Sequence, residues 1–424
     1  MNKKFIKGFL FLSMALSLSS LDASSFFSDK NDTERMLRQR QRNQQARKEK
    51  GTTREEKVSG DWGVKMPAAH GCSSNEGFVV SVDYMIMRSY QPNLVYAFEK
   101  KVIPDAEALG LGIMQGNMIH PTRTWRPGFR LGLGWNTPYD LWDVQSNWTY
   151  YYNKSVTNKK ANPPLLANNT SPNNGFFPYW VTPMDNNAGV GPAIITNIST
   201  YNQMQGVWQL NYNMINLELG RSLYLTKALA LRPHMGLQNG WIHQKSDIRY
   251  GQSRQAASEN NGPDAQRVQL TNKFWGIGLR TGMSGKWQLG YGFSLLGKVA
   301  GSILSGRVNA RKTQDTSENG VGGRDMNEVN WLRVYNSYNK TYQLSPNLES
   351  SLGLMWSTCL NQDNMYFGLS VNWESIYWWG QFRYIKPPQG PLASGDYRAN
   401  YDDYPFSDDT LNIEGVTVKA LFDF

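Results

Sequence analysis

Between Thr124 and Asn136 the side chains alternate without a break. Trp125, Pro127, Phe129, Leu131, Leu133 and Trp135 fall on one face; Arg126, Gly128, Arg130, Gly132 and Gly134 fall on the other. A period of two belongs to a strand, because successive Cβ atoms point to opposite sides of a pleated backbone. The second face says what kind of strand. Glycine and arginine do not make the dry inner face of a soluble sandwich. They suit a wall with hydrocarbon on one side and crowded water on the other, and tryptophan at both ends of the apolar stripe fits two interfacial girdles.

The pattern recurs. Phe78, Val80, Val82, Tyr84 and Ile86 oppose Ser81 and Asp83. Trp142, Val144, Trp148 and Tyr150 oppose Asp143, Gln145 and Asn147. Leu229, Leu231, Met235 and Leu237 oppose Arg232, His234 and Gln238. Trp275, Ile277, Leu279 and Met283 oppose Arg280, and Leu348, Leu352, Leu354 and Trp356 oppose Glu349. Composition agrees: 13% aromatic, 18% charged and 39 Gly in 424 residues. A polytopic helical membrane protein needs repeated apolar runs of about 20 residues, which are absent here. A disordered chain is aromatic-poor. The fold expected is all-β: a transmembrane antiparallel up-and-down β-barrel over residues 77–424, preceded by a short charged extension.

Residues 1–23 read as a secretory signal, with Lys3, Lys4 and Lys7 before the apolar Gly8–Leu18 and small residues up to Ala23. Residues 24–76 form a charged periplasmic linker, rich in Gln, Arg and Lys up to Lys57. It reads as a solvated spacer, with a lumen plug or a contact to acidic cell-wall polymer as sharper alternatives. More than half of the formal net charge of +10 sits in residues 1–57. The basic balance is therefore poor evidence for a nucleic-acid partner, which needs a basic face on the folded domain.

Connections fall into two kinds. Asn136–Asp140, Leu225–Ala228, Met283–Lys286, Leu344–Leu348 and Trp373–Ile376 read as short turns. Residues 91–121, 152–204, 250–269, 306–328 and 386–409 read as long polar loops. Short turns inside and long loops outside are the habit of outer-membrane barrels. Alternating them gives about 12 strands, or about 14–16 if residues 91–121 hide a pair. In the last strand Val416, Val418, Ala420, Phe422 and Phe424 share a face, and the chain ends on Phe. That ending is similar to the insertion signal of bacterial outer-membrane barrels, so the insertion machinery and outer-membrane lipid are expected partners.

Catalytic and metal signatures are thin. The four histidines, His70, His120, His234 and His243, form no H-E-x-x-H pattern, and Gly285-Lys286 lacks the rest of a phosphate loop. No enzyme activity, cofactor or metal is expected. Cys72 and Cys359 face an oxidising compartment, where an internal bridge and intermolecular or free-thiol chemistry stay equally open. The alternation turns Asp83, Arg126, Arg130, Asp143, Arg232, His234, Arg280, Lys298 and Glu349 toward the lumen. These charges either pair across strands or grade a constriction. Their basic majority points to a weak anion preference. On this phase Leu131→Arg should block insertion, whereas Arg130→Leu should insert and alter selectivity.

The run Trp125-Arg-Pro-Gly-Phe-Arg-Leu-Gly-Leu-Gly-Trp135, continued by Asn136-Thr-Pro-Tyr-Asp-Leu-Trp-Asp-Val144, resembles the Legionella-type major outer membrane protein family, also found in chlamydia-like bacteria. So do Asn211–Arg221, Leu231–Gly236, Phe274–Gly278 and Lys286–Gly290. The resemblance covers most of residues 75–424. It implies a pore-forming barrel with surface-exposed loops and brings no catalytic residues. With only two cysteines, the chain departs from the cysteine-rich members that cross-link their envelope. The expected function is that of a porin in the cell outer membrane, passing small polar solutes or ions through a narrow bore that a folded-in loop restricts further. A homo-oligomer is compatible with it. The rival is a structural or adhesive barrel whose loops bind host or envelope partners.

Overall fold

A computed structural model of the chain describes residues 77–101, 116–138, 141–161, 174–181, 201–253, 265–317, 330–360, 365–385 and 406–424. The expected signal, the charged linker and Cys72 lie outside the described residues. Every described element is a strand. In chain order they are β1 (Gly77–Tyr90), β2 (Ala97–Lys101), β3 (Met118–Ile119), β4 (Trp125–Asn136), β5 (Trp142–Lys160), β6 (Asn174–Pro178), β7 (Tyr201–Arg221), β8 (Leu223–Tyr224), β9 (Leu229–Ser253), β10 (Ala265–Gly290), β11 (Phe293–Ser317), β12 (Trp331–Leu360), β13 (Met365–Ile385) and β14 (Phe406–Asp423).

All fourteen belong to one antiparallel sheet, and the sheet closes on itself. Following the pairs β7–β5–β4–β1–β14–β13–β12–β11–β10–β9 and back to β7 gives a ring of ten strands. Closure removes the free sheet edges that would otherwise have to be covered. The short β2, β3 and β6 are not ring members; they pair with one another and touch β7 at Phe176 and Tyr201.

The ring holds fewer strands than the turn signals suggest, for a definite reason. Met283–Lys286, Leu344–Leu348 and Trp373–Ile376 are not turns; they lie inside β10, β12 and β13. The turn between β10 and β11 is Gly290-Tyr291-Gly292, where all three residues have positive φ, at 105°, 52° and 82°. Glycine reaches that region at no steric cost, which is why the chain reverses there and not seven residues earlier. The start of β1, the end of β14 and the strand ends that flank 137–141, 222–228, 291–292 and 361–364 fall at one end. The strand ends that flank 91–124, 161–200, 254–264, 318–330 and 386–405 fall at the other. The asymmetry of connection length is complete, and by the habit of outer-membrane barrels the first end is called periplasmic and the second outer.

Strand prolines mark where ladders stop. Pro127 lies one residue beyond the β4–β5 ladder, Pro233 one beyond β7–β9, and Pro346 one beyond β12–β13. Proline has no N–H to donate, so these positions tolerate it. Above Asn347 and Trp378, side chains take over from the backbone ladder: Gln343 Nε2 donates to the Gly380 carbonyl at 2.7 Å and Ser345 Oγ to that of Trp379 at 3.3 Å.

The outward face carries the apolar belt. Val82, Leu131, Leu217, Leu237, Leu279, Leu354 and Val371 are all exposed on it. On β14 and the residue after it, Val418, Phe422 and Phe424 are exposed on the same face, with Val416 and Ala420 half-buried. Leu131 sits between Val82 of β1 and Trp148 of β5. A charge there meets hydrocarbon at a cost of about 2–4 kcal/mol near the midplane. Leu131→Arg should therefore lose the gel-mobility shift that folded barrels show on heating, whereas Leu131→Ile should keep it.

Candidate functional site

Alternation that turns leucine outward must turn its neighbours inward, and inside the barrel the contents are layered. On β7 the inward residues run Gly220, Glu218, Asn216, then Met214, Tyr212, Leu210 and Trp208. On β13 they run Ser370, Asn372, Glu374, then Ile376 and Trp378. On these two strands the periplasmic half is thus polar and the outer half apolar, while other strands keep buried polar side chains in the outer half, among them Asn153, Gln244, Ser246 and Asn272.

The polar half encloses a chamber of about 400 Å³. Its lining includes the basic Arg130, Arg232, Arg280, Lys286, Lys298 and Lys419, and the acidic Asp83, Asp143, Glu349, Glu374 and Asp423. Pairs knit the strands together. Arg130 on β4 donates to both oxygens of Glu374 on β13, at 3.0 and 2.8 Å, and to Asp83 on β1 at 3.3 Å. Arg280 on β10 grips both oxygens of Glu349 on β12, at 2.8 and 2.6 Å, and reaches Glu218 on β7 at 2.8 Å. Arg232 on β9 forks onto Asp143 on β5. Glu218 is the hub. It is fully buried, takes Lys298 at 3.3 Å, and faces Arg232 at 3.6 Å and His234 at 3.7 Å.

Eight of the nine residues that the alternation turned inward therefore stand in or beside this one cluster. Arg126 does not. It is exposed and donates to the Lys154 carbonyl at 2.9 Å. Glu218 and Glu374 escaped the sequence reading. Glu218 lies in alternation with Leu217 and Leu219, a signal that was there to be used; Glu374 fell in a supposed turn. With both counted, the chamber and its hub hold six basic and six acidic side chains. The basic majority behind the expected anion preference is gone.

Above the chamber the bore is filled. Trp378 reaches from β13 to Tyr212 on β7, five strands away around the ring, with ring centroids 6.4 Å apart. Phe274 on β10 meets it from another side, also at 6.4 Å. Farther out, the connections fold in. Tyr96 packs against Gly206, where any Cβ would collide with its ring, and its carbonyl accepts from Tyr250 at 2.5 Å. Trp180 donates to the Val95 carbonyl at 2.5 Å. Among the described residues no group of three or more His, Cys, Asp or Glu is arranged to hold a metal ion. Cys359, near the periplasmic end of β12, is disulfide-bonded.

Residues 72–407 match the family described as Legionella pneumophila major outer membrane protein precursor. The chain belongs to this family. It is accordingly an outer-membrane β-barrel protein of the Legionella major outer membrane protein family, as its ring of strands and apolar belt require. Among curated proteins nothing matches. Solved structures similar to this family member are outer-membrane barrels. Outer membrane protease OmpT from Escherichia coli matches at 12% identity over 83% of this chain and 98% of its own, with a TM-score of 0.33. The Pseudomonas putida toluene transporter TodX matches at 5% identity over 82% and 89%, with a TM-score of 0.19. Likenesses this distant assign this chain no role; the barrel rests on its own closed ring of strands. They do correct one expectation. The reading that the chain is not an enzyme rested on its lack of a catalytic signature, yet one matching barrel is a protease, so that reading is withdrawn. No activity passes to this chain from it.

The ion pairs also change what Arg130→Leu should do. The substitution leaves Glu374 and Asp83 without their shared cation, and breaking a buried pair costs about 3–5 kcal/mol. Lower stability to urea is expected, measurable by unfolding from vesicles.

Proposed function

We propose that this protein is a porin of narrow bore, passing small hydrophilic solutes or ions across the outer membrane by diffusion. The observation that supports this best is the charged chamber inside a barrel whose outer face is apolar. A polar, ion-paired interior of this size is costly to build into a membrane protein and is most readily explained by passage of water and solute. Ten strands lie near the filled end of the range, where about 8 leave only side chains inside and 16–18 leave an open channel. The described form is therefore read as closed at the Trp378 layer, with passage following side-chain or loop displacement. The balance of acidic and basic groups argues for little preference between anions and cations.

A second reading has its own support. β9 to β12 run to 25, 26, 25 and 30 residues, where a tilted strand needs about 9–11 to cross. The barrel rises well beyond the bilayer, as a surface protein whose loops bind host or envelope partners would. Planar-bilayer recording of purified, heat-modifiable protein separates the two. Discrete low-conductance steps are expected. A silent barrel at every voltage and salt concentration would remove the porin reading and leave the display one.

A further inference from the structure

The outward face of the long strands changes character along its length. On β9 it runs Leu229, Leu231, Met235, Leu237, Trp241, then His243 and Lys245. On β10 it runs from Leu289 to Trp275 and then reaches Lys273. The register joins these changes into one contour: Trp241 pairs with Trp275, Trp275 with Arg307, and Arg307 with Tyr342. The next row is His243, Lys273, Asn309 and Lys340, and the row after it Lys245, Thr271, Arg311 and Tyr338.

In the girdle row, then, stands Arg307, and directly beyond it Lys245, Lys273, Arg311 and Lys340. Four are exposed and Arg307 is half-buried. None has an acidic partner among the described residues. Arg307 and Arg311 bond the amides of Asn309 and Asn336, and Lys340 lies over the ring of Tyr338. The acids of this face lie farther out and are already engaged, Asp247 by Arg267 at 2.5 Å and Asp315 by Arg333. Around the rest of the rim the basic rows thin out: Arg88 pairs with Glu414 at 2.7 Å, β7 shows Asn211, Gln209 and Gln205, and Lys154 of β5 is the continuation of the Lys245 row past Gln209.

We propose that the outer face of β9–β12 just beyond the Trp241–Trp275 girdle docks phosphate-bearing head groups of the outer-leaflet lipid. Position and charge both argue for it. The apolar belt below fixes where acyl chains end, so these rows lie at head-group depth. Unpaired basic side chains at that depth attract anionic lipid at a gain that grows with each charge. The inference does not depend on whether the barrel conducts.

The test uses full-length folded protein in neutral detergent, titrated with lipid A, a diphosphorylated lipid, and with phosphatidylcholine as the uncharged comparison. The variant K245Q/K273Q/R311Q/K340Q should bind lipid A at least about tenfold more weakly than the parent. A variant stripped of as much charge elsewhere, R123Q/K159Q/K160Q/K227Q, should bind like the parent. Inorganic phosphate at matched phosphate concentration should compete poorly, because the acyl chains hold the head group at this depth. Equal weakening by both variants overturns the proposal, as does equal affinity of parent and patch variant, or efficient competition by free phosphate. Salt provides a check that needs no variant: parent affinity for lipid A must fall as ionic strength rises, and an unchanged affinity overturns the proposal as well.

Discussion

Replacing Trp378 with alanine is expected to turn a barrel of small, infrequent conductance steps into one with larger and more frequent ones. Trp378 is fully buried, and it is the side chain that links opposite walls, meeting Tyr212 on β7 and Phe274 on β10. Its removal deletes the common member of that layer, directly above a chamber of about 400 Å³. A buried Trp→Ala change costs about 3–5 kcal/mol where surrounding atoms cannot collapse into the space. Here the walls are held by ladders on both sides of β13 below that level, so the hole should persist and admit water. Trp378→Phe keeps a ring in place and should stay near the parent. Single-channel recording of the three proteins, each first checked for the heat-dependent gel shift, measures the effect. Parent-like traces from the alanine variant would show that the restriction lies elsewhere, in the folded-in segments around Tyr96 and Trp180.

The wall of this protein is legible in its amino-acid order because lipid and lumen impose opposite demands on neighbouring residues. Turn placement is harder. Ser-Gly at 284–285 and Ser-Pro-Asn at 345–347 have turn chemistry, but chemistry permits a turn without requiring one. Phase is the better guide. A two-residue turn after Met283 pairs Met283 with Lys286 and moves the outward face to even positions. Trp287 and Leu289 stay odd, as Trp275 and Leu279 are, so β10 runs on. Tyr377 and Trp379 keep the parity of Leu369 and Trp373 in the same way, so β13 runs on through Trp373–Ile376 and Glu374 becomes an interior residue. The apolar stretches of the outer bore were hidden for a different reason. There both faces carry apolar side chains, such as Ile86 outward and Met85 and Met87 inward, and alternation loses its contrast. Nor does a period of two say which charges meet. Arg130 finds Glu374 only because β4 and β13 are three strands apart on a closed ring.

Glu218 carries the second large effect. Glu218→Gln should lower stability by about 3 kcal/mol, the lower end of the range for breaking a buried pair. The low end applies because two of its cations keep other partners. Arg280 retains both oxygens of Glu349, and Arg232 retains Asp143. Lys298 has Glu218 as its ion-pair partner, at 3.3 Å, yet its side chain is 35% exposed to the chamber and can recover part of its hydration. The cost therefore concentrates on Lys298 and on the second oxygen of Glu218, which faces Arg232 and His234 with no hydrogen bond of its own. Removing the cation as well, in Glu218→Gln/Lys298→Gln, should restore more than half of the loss, since the interior then holds neither stranded charge. Equilibrium unfolding from lipid vesicles, followed by tryptophan fluorescence, gives the cycle. If the double variant is as unstable as the sum of the two single ones, Glu218 and Lys298 are not coupled. The hub would then belong to Arg280 alone, and Glu218→Gln/Arg280→Met would be the pair that recovers.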